Sequence, residues 1–196
     1  MSVLEKAENF LRNFGIDIPV VEMTQIDLGV ARYDCLNNKF EINLHIIEFE
    51  AEKMEMSLND YIKILMCHEI GHYLDNNVVD RTNMYLQFLE DVKKGNHSYQ
   101  AEYDMSQVIC DSEIIAWENG RKFVPEELLE KYEEMNIKNY DSAKFRIHFN
   151  VLQYKHISEK EKLLKDLVKL QNNIVGKDIE IDNLQFELAR ERLKQI

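Results

Sequence analysis

Residues His68-Glu69-Ile70-Gly71-His72 spell H-E-x-x-H. On an α-helix, residues four apart share one face about one turn apart, so two imidazoles at this spacing can reach a single ion. Glu69 leaves the helix about 100° round from His68, beside such an ion and not on it. From there a carboxylate can take a proton from a water that zinc has acidified towards a pKa of about 7, and later hand it to a leaving amine. The expected roles are therefore metal ligands for His68 and His72, general base for Glu69, and Zn2+ as cofactor. The neighbours Leu65, Met66, Ile70 and Leu74 are apolar. They predict a largely buried helix, in which Glu69 would be costly without a metal or a polar partner.

Catalytic zinc commonly takes three protein ligands and leaves one position to water. The third ligand must come from elsewhere in the chain, and Glu113, Asp111, Glu118, Asp104 and His97 are the candidates. Glu113 is preferred, because Ala116 and Gly120 follow it at about one and two turns and are small enough to let its helix lie close against another. A third histidine of the short H-E-x-x-H-x-x-G-x-x-H type is absent from the segment around Asn76-Asn77-Val78. Cys67, directly before His68, points about 100° away from it and is the weaker candidate. A tetrahedral intermediate also needs an oxyanion partner. Tyr99, Tyr103, His97, Arg146 and His148 are candidates, and none stands out. Asp75 reads equally as a residue orienting a ligand or as a helix-end acid.

The elements that must position these groups can be read from periodicity. Val3 to Phe14 forms an amphipathic pattern closed by Gly15. Pro19 forces extended chain, and Ile18 to Thr24, Val30 to Asp34 and Lys39 to Leu44 read as short strands, the last two joined by a turn at Cys35-Leu36-Asn37-Asn38. Ser57 with Asp60 resembles a capping box at the start of the metal-motif helix. Further helices are expected at Arg81 to Lys94, Tyr99 to Asn119 (ended by Gly120), Glu126 to Met135, and from about Ser142 behind an Asp141 cap. Strands early and helices late predict an α+β fold: a small antiparallel sheet, an N-terminal helix, the motif helix and a mostly helical C-terminal half.

From about Ser158 the composition changes to Lys, Glu, Leu and Ile. Leu163, Leu167, Leu170, Ile174, Ile181, Leu184 and Leu188 recur at heptad-like spacing, with one slot skipped at Lys177 beside Gly176. Ile179, Phe186 and Leu193 make a second apolar line. A long helix, an interrupted coiled coil or a helical hairpin all fit. The expected organisation is a catalytic domain over 1–156 and a helical extension over 157–196, through which a partner or a second copy could bind.

A net charge of −12 weighs against a phosphate-tracking surface, so direct nucleic-acid binding is not expected. Charged residues within Met1 to Gly15 argue against a signal peptide, and no apolar run approaches the roughly 20 residues that span a bilayer. Cys35, Cys67 and Cys110 are an odd number without a C-x-x-C pair, which suits a reducing compartment. A cytoplasmic protein without membrane contact is expected.

The order of helix, strand, hairpin, H-E-x-x-H helix and glutamate helix resembles the glutamate-type zincins. More closely, Val30 to Leu44 followed by Met66-Cys67-His68-Glu69-Ile70-Gly71-His72-Tyr73-Leu74 is similar to the ImmA/IrrE-type peptidases. There a later E-x-x-A-x-x-x-[AG] segment runs into an apolar residue and a proline. Here it reads Glu113-Ile114-Ile115-Ala116-Trp117-Glu118-Asn119-Gly120, then Arg121 to Pro125. The likeness covers about residues 1–135, with a longer interval before Glu113 and no helix-turn-helix segment. It implies His68, His72 and Glu113 as zinc ligands, Glu69 as the catalytic glutamate, and a metalloendopeptidase acting on a protein or peptide substrate, such as a regulatory protein. The alternative it implies is a non-proteolytic antagonist of a mobile element that uses the zincin fold and its C-terminal helix for binding.

Overall fold

Helix α1 (Val3–Arg12) opens on a reciprocal capping box, in which Ser2 accepts from the Glu5 amide and Glu5 accepts from the Ser2 amide. It ends where Gly15 adopts φ +73°, and the Ile16 amide reaches back to the Leu11 carbonyl. Its Ala7 and Leu11 enter the core. The computed structural model describes residues 1–23, 29–139, 151–152, 155–156 and 159–170.

Strands β1 (Val20–Glu22), β2 (Ala31–Asp34) and β3 (Lys39–Ile42) form one sheet in the order β1-β3-β2. β2 and β3 are an antiparallel hairpin with Tyr33 opposite Phe40, turning through Asn38 at φ +49°. β1 pairs with β3 in parallel, Val20 opposite Phe40. The expected purely antiparallel sheet is thus corrected to a mixed one. Residues 23–30 are too long a link for a tight hairpin, so β1 does not lie beside β2 but crosses to the free side of β3. β2 is left as an edge strand.

α2 (Ile47–Lys53) was not anticipated from the periodicity; it buries only Ile47 and Ala51, one turn apart. α3 (Leu58–Tyr73) carries the motif. Its N-cap, Ser57, accepts from the Asp60 amide as the sequence suggests. α3 buries residues on every side, among them Ile64, Met66, Cys67 and Ile70. It is therefore the central element of the main core, packed by α1, the sheet and α2.

α4 (Val78–Lys93) and α5 (Tyr99–Gly120) follow, joined through a second apolar cluster of Phe88, Leu89, Val92, Met105 and Val151. After 3-10 turns at Arg121–Phe123 and Glu126–Leu128, residues 129–139 are helical. Residues 159–170 are helical and exposed at every position, so Leu163, Leu167 and Leu170 do not pack on the domain. Ser142, Arg146, His148 and the apolar series from Ile174 onward lie outside the described residues, as do 157 and 158 at the expected domain boundary. Among the described residues no helix is long and apolar enough to cross a membrane.

α3 and α5 approach each other closely at two glycines. A Cβ built on Gly71 would lie 1.8 Å from the Ala116 carbonyl oxygen, and one on Gly120 would lie 2.2 Å from that of Cys67. Gly120 is the last residue of α5, where the sequence places the helix end, but it keeps right-handed helical geometry and is also a contact point between two backbones. Glycine to alanine inside a helix ordinarily stabilises by about 0.5–1 kcal/mol. Here the sign should invert: Gly120→Ala is expected to destabilise by about 1–3 kcal/mol or more, read from urea denaturation. A more stable variant would show that the helices do not touch at this point.

Candidate metal centre

Burial and helical spacing bring the motif side chains to one place. His68 and His72, one turn apart on α3, lie with ring centroids 4.7 Å apart. Across the close helix contact, Glu113 of α5 turns its carboxylate towards both: Oε2 is 3.3 Å from His68 Nε2 and 4.0 Å from His72 Nε2. Ligating atoms of the three residues all lie within 4.8 Å of one another, a group that could hold a metal ion. Two donors each about 2.1 Å from a tetrahedral ion are about 3.4 Å apart, so His68 and Glu113 stand at that separation and His72 needs a small approach. The nitrogen, nitrogen and oxygen donor set suits zinc, and other first-row ions too.

Glu69, 3% exposed, lines the same cleft from the next position on α3. Two buried carboxylates beside two imidazoles form a strongly polar centre in an apolar surround, and a divalent cation would offset much of that desolvation cost.

Other candidates fall elsewhere. Asp104, Asp111 and Glu118 point to solvent on α5. His97 is engaged with Glu102 at 2.8 Å, beside the second apolar cluster. Tyr99 and Tyr103 are largely exposed. Asp75 is the helix-end acid: it pairs with Arg81 and accepts from the Asn77 amide, tying the end of α3 to the start of α4. Cys67 is fully buried with its carbonyl beneath Gly120, and desolvation pushes its thiol up to about 12, so it sits as a neutral core residue.

The surrounding cleft has a volume of about 600 Å³. It is lined by the edge strand β2, by α3, α4 and α5, and by Met54 and Met135. Arg32, which lines the cleft, pairs with the buried Glu41, and Glu41 stays below the usual carboxylate range: burial opposes its charge, but bonds from Lys39 and Arg32 outweigh that.

Sequence reasoning did not find Asn139, whose amide donates to Glu113 Oε2 at 2.6 Å. Nor did it find Trp117, whose indole stacks on His68 with centroids 4.3 Å apart. A lone asparagine carries no signal in one sequence. Trp117, one turn past Glu113, could have been placed on the same face by helical spacing.

No family model, curated protein or solved structure matches the chain. The centre is therefore read from its own geometry.

Partners that orient a metal ligand typically contribute 10–100-fold in affinity. Purified wild type is expected to carry about one zinc per chain by elemental analysis, with His72→Ala and Glu113→Ala largely metal-free. Asn139→Ala should bind zinc about 10–100-fold more weakly in a chelator competition. Wild-type affinity in that variant would remove Asn139 from the centre.

Proposed function

We propose that this chain is a zinc-dependent metalloendopeptidase of the glutamate zincin type. The observation that carries the reading is the convergence of Glu113, from a separate helix, on the two histidines of a buried H-E-x-x-H helix. His68, His72 and Glu113 would hold the ion. Bound there, zinc supplies Lewis acidity, polarising a carbonyl and lowering the pKa of water.

Within that arrangement Glu69 takes the proton from the attacking water on its carboxylate and delivers it to the amine of the cleaved bond, so that no free charged amine anion leaves. Asn139 keeps Glu113 turned towards the histidines. The walls of the cleft exclude bulk water and hold the substrate. An extended peptide can lie along the outer edge of β2 by main-chain pairing, while its side chains meet the apolar surfaces that line the cleft, among them Met54, Leu65, Met135, Val78 and Ile109. That shape supports the reading of a protein or peptide substrate. The ImmA/IrrE-like motif run adds the suggestion that it is a regulatory protein.

Replacing a general base typically costs about 10²–10⁴-fold in rate. Glu69→Gln should keep its zinc and lose cleavage of a quenched fluorescent peptide library by about that factor. Cleavage at the wild-type rate would eliminate Glu69 as the base.

A second reading rests on the exposed leucines of residues 159–170: the chain binds a partner, or a second copy of itself, through its C-terminal helix and acts without proteolysis. Under it, Glu69→Gln retains cellular activity and deletion of 157–196 abolishes it. The enzyme reading expects the reverse for Glu69→Gln.

A further inference from the structure

We propose that Trp117 is the positioning residue for His68, an aromatic clamp that holds the imidazole plane so that Nε2 faces Glu113 and His72. This rests on the reading of the site as a metal centre.

Three observations converge on it. First, the indole and imidazole rings lie 4.3 Å apart and tilted by 30°, close to an offset stack, and both side chains are buried. A histidine side chain has two torsions, and the second sets the direction in which Nε2 points. A flat ring pressed on its face removes that freedom before any ion arrives, which lowers the ordering cost of ligation.

Second, the clamp is itself braced. Tyr132 meets the Trp117 ring edge-to-face at 4.5 Å, and its hydroxyl donates to the Trp117 carbonyl at 2.8 Å. The same hydroxyl lies against Gly120, whose missing Cβ leaves it room. Trp117 therefore has support on the side away from the site. It also sits one helical turn beyond Glu113, so a single stretch of α5 supplies both the oxygen donor and the surface that orients a nitrogen donor.

Third, the indole N–H is buried and makes no hydrogen bond. Burying such a donor unbonded is unfavourable. A phenylalanine would fill the core without that cost but would cover less of the imidazole. The extended indole face is the property that phenylalanine lacks.

The chain has one tryptophan, so this residue also reports on the site by its own emission. The test uses full-length protein as wild type, Trp117→Phe and Trp117→Leu. Zinc affinity is measured by chelator competition, cobalt(II) absorption gives the coordination geometry, and melting without metal controls for stability. Trp117→Phe, with a smaller stacking face, is expected to bind zinc a few-fold more weakly. Trp117→Leu should bind about 10–100-fold more weakly, with an altered cobalt spectrum. In wild type, cobalt should quench Trp117 emission at one equivalent.

A folded Trp117→Leu protein with wild-type zinc affinity and an unchanged cobalt spectrum would overturn the proposal while leaving the metal centre intact. If Trp117→Leu does not fold, Trp117→Phe decides: unchanged affinity and spectrum there would overturn it. A wild type that takes up no metal and shows no quenching would instead fail the metal reading itself, and the clamp with it.

Discussion

The geometry of the centre depends on how near α5 can come to α3. Helices that meet through ordinary side chains stand about 8–10 Å apart, with layers of side chains between them. Here two glycines remove that layer at two points: Gly71 faces the Ala116 carbonyl and Gly120 faces that of Cys67. These contacts lie on either side of Trp117 and within two turns of Glu113. With the backbones touching, a carboxylate of only modest reach can stand 3.3 Å from an imidazole on the other helix. Widening the gap by one methyl group would withdraw Glu113 from the histidines. Gly71 therefore belongs to the motif for a reason separate from chemistry: it is the slot that α5 occupies.

That closeness has an electrostatic consequence. It brings Glu113 and Glu69 into a core whose other members include Leu65, Met66 and Ile70. Two other buried carboxylates are answered by permanent cations, Glu41 by Arg32 and Lys39 and Asp75 by Arg81. At the centre Glu113 faces two imidazoles and the Asn139 amide, groups that are neutral or only conditionally charged. A divalent ion bound there would be coupled to folding, because it interacts with the assembled set and not with the same residues dispersed in the unfolded chain. Glu41 and Asp75 are thus neutralised by fixed charges, whereas the carboxylate of Glu113 faces groups that leave room for a cation.

How much of this was legible depended on whether a feature is local. The motif helix and its Ser57 cap are written in a short stretch of sequence, and so is the spacing that puts Glu113, Ala116 and Gly120 on one face. Position relative to other elements was not. The direction of β1 was missed because strand periodicity says nothing about which neighbour a strand chooses. α2 was missed because it buries only Ile47 and Ala51, too few positions for a helical period to emerge. Gly120 does end α5, but its second role is invisible in the sequence, because a glycine at a helix end and a glycine at a helix contact look alike until the second helix is in place. Asn139 acquires meaning only from its distance to Glu113.

The edge strand presents a different balance. An unpaired strand edge is a template for unwanted association, and short, charged edges limit that hazard. β2 has only four residues, carries Arg32 and Asp34, and sees its outer edge enclosed by the cleft. Among the described residues that edge has no strand beside it, and the cleft leaves less room for a second folded sheet than for a single extended segment. Under the proposed peptidase reading, the restriction that protects the edge would favour flexible or locally unfolded peptide, and would set it beside His68, Glu69 and His72 before any side chain is recognised.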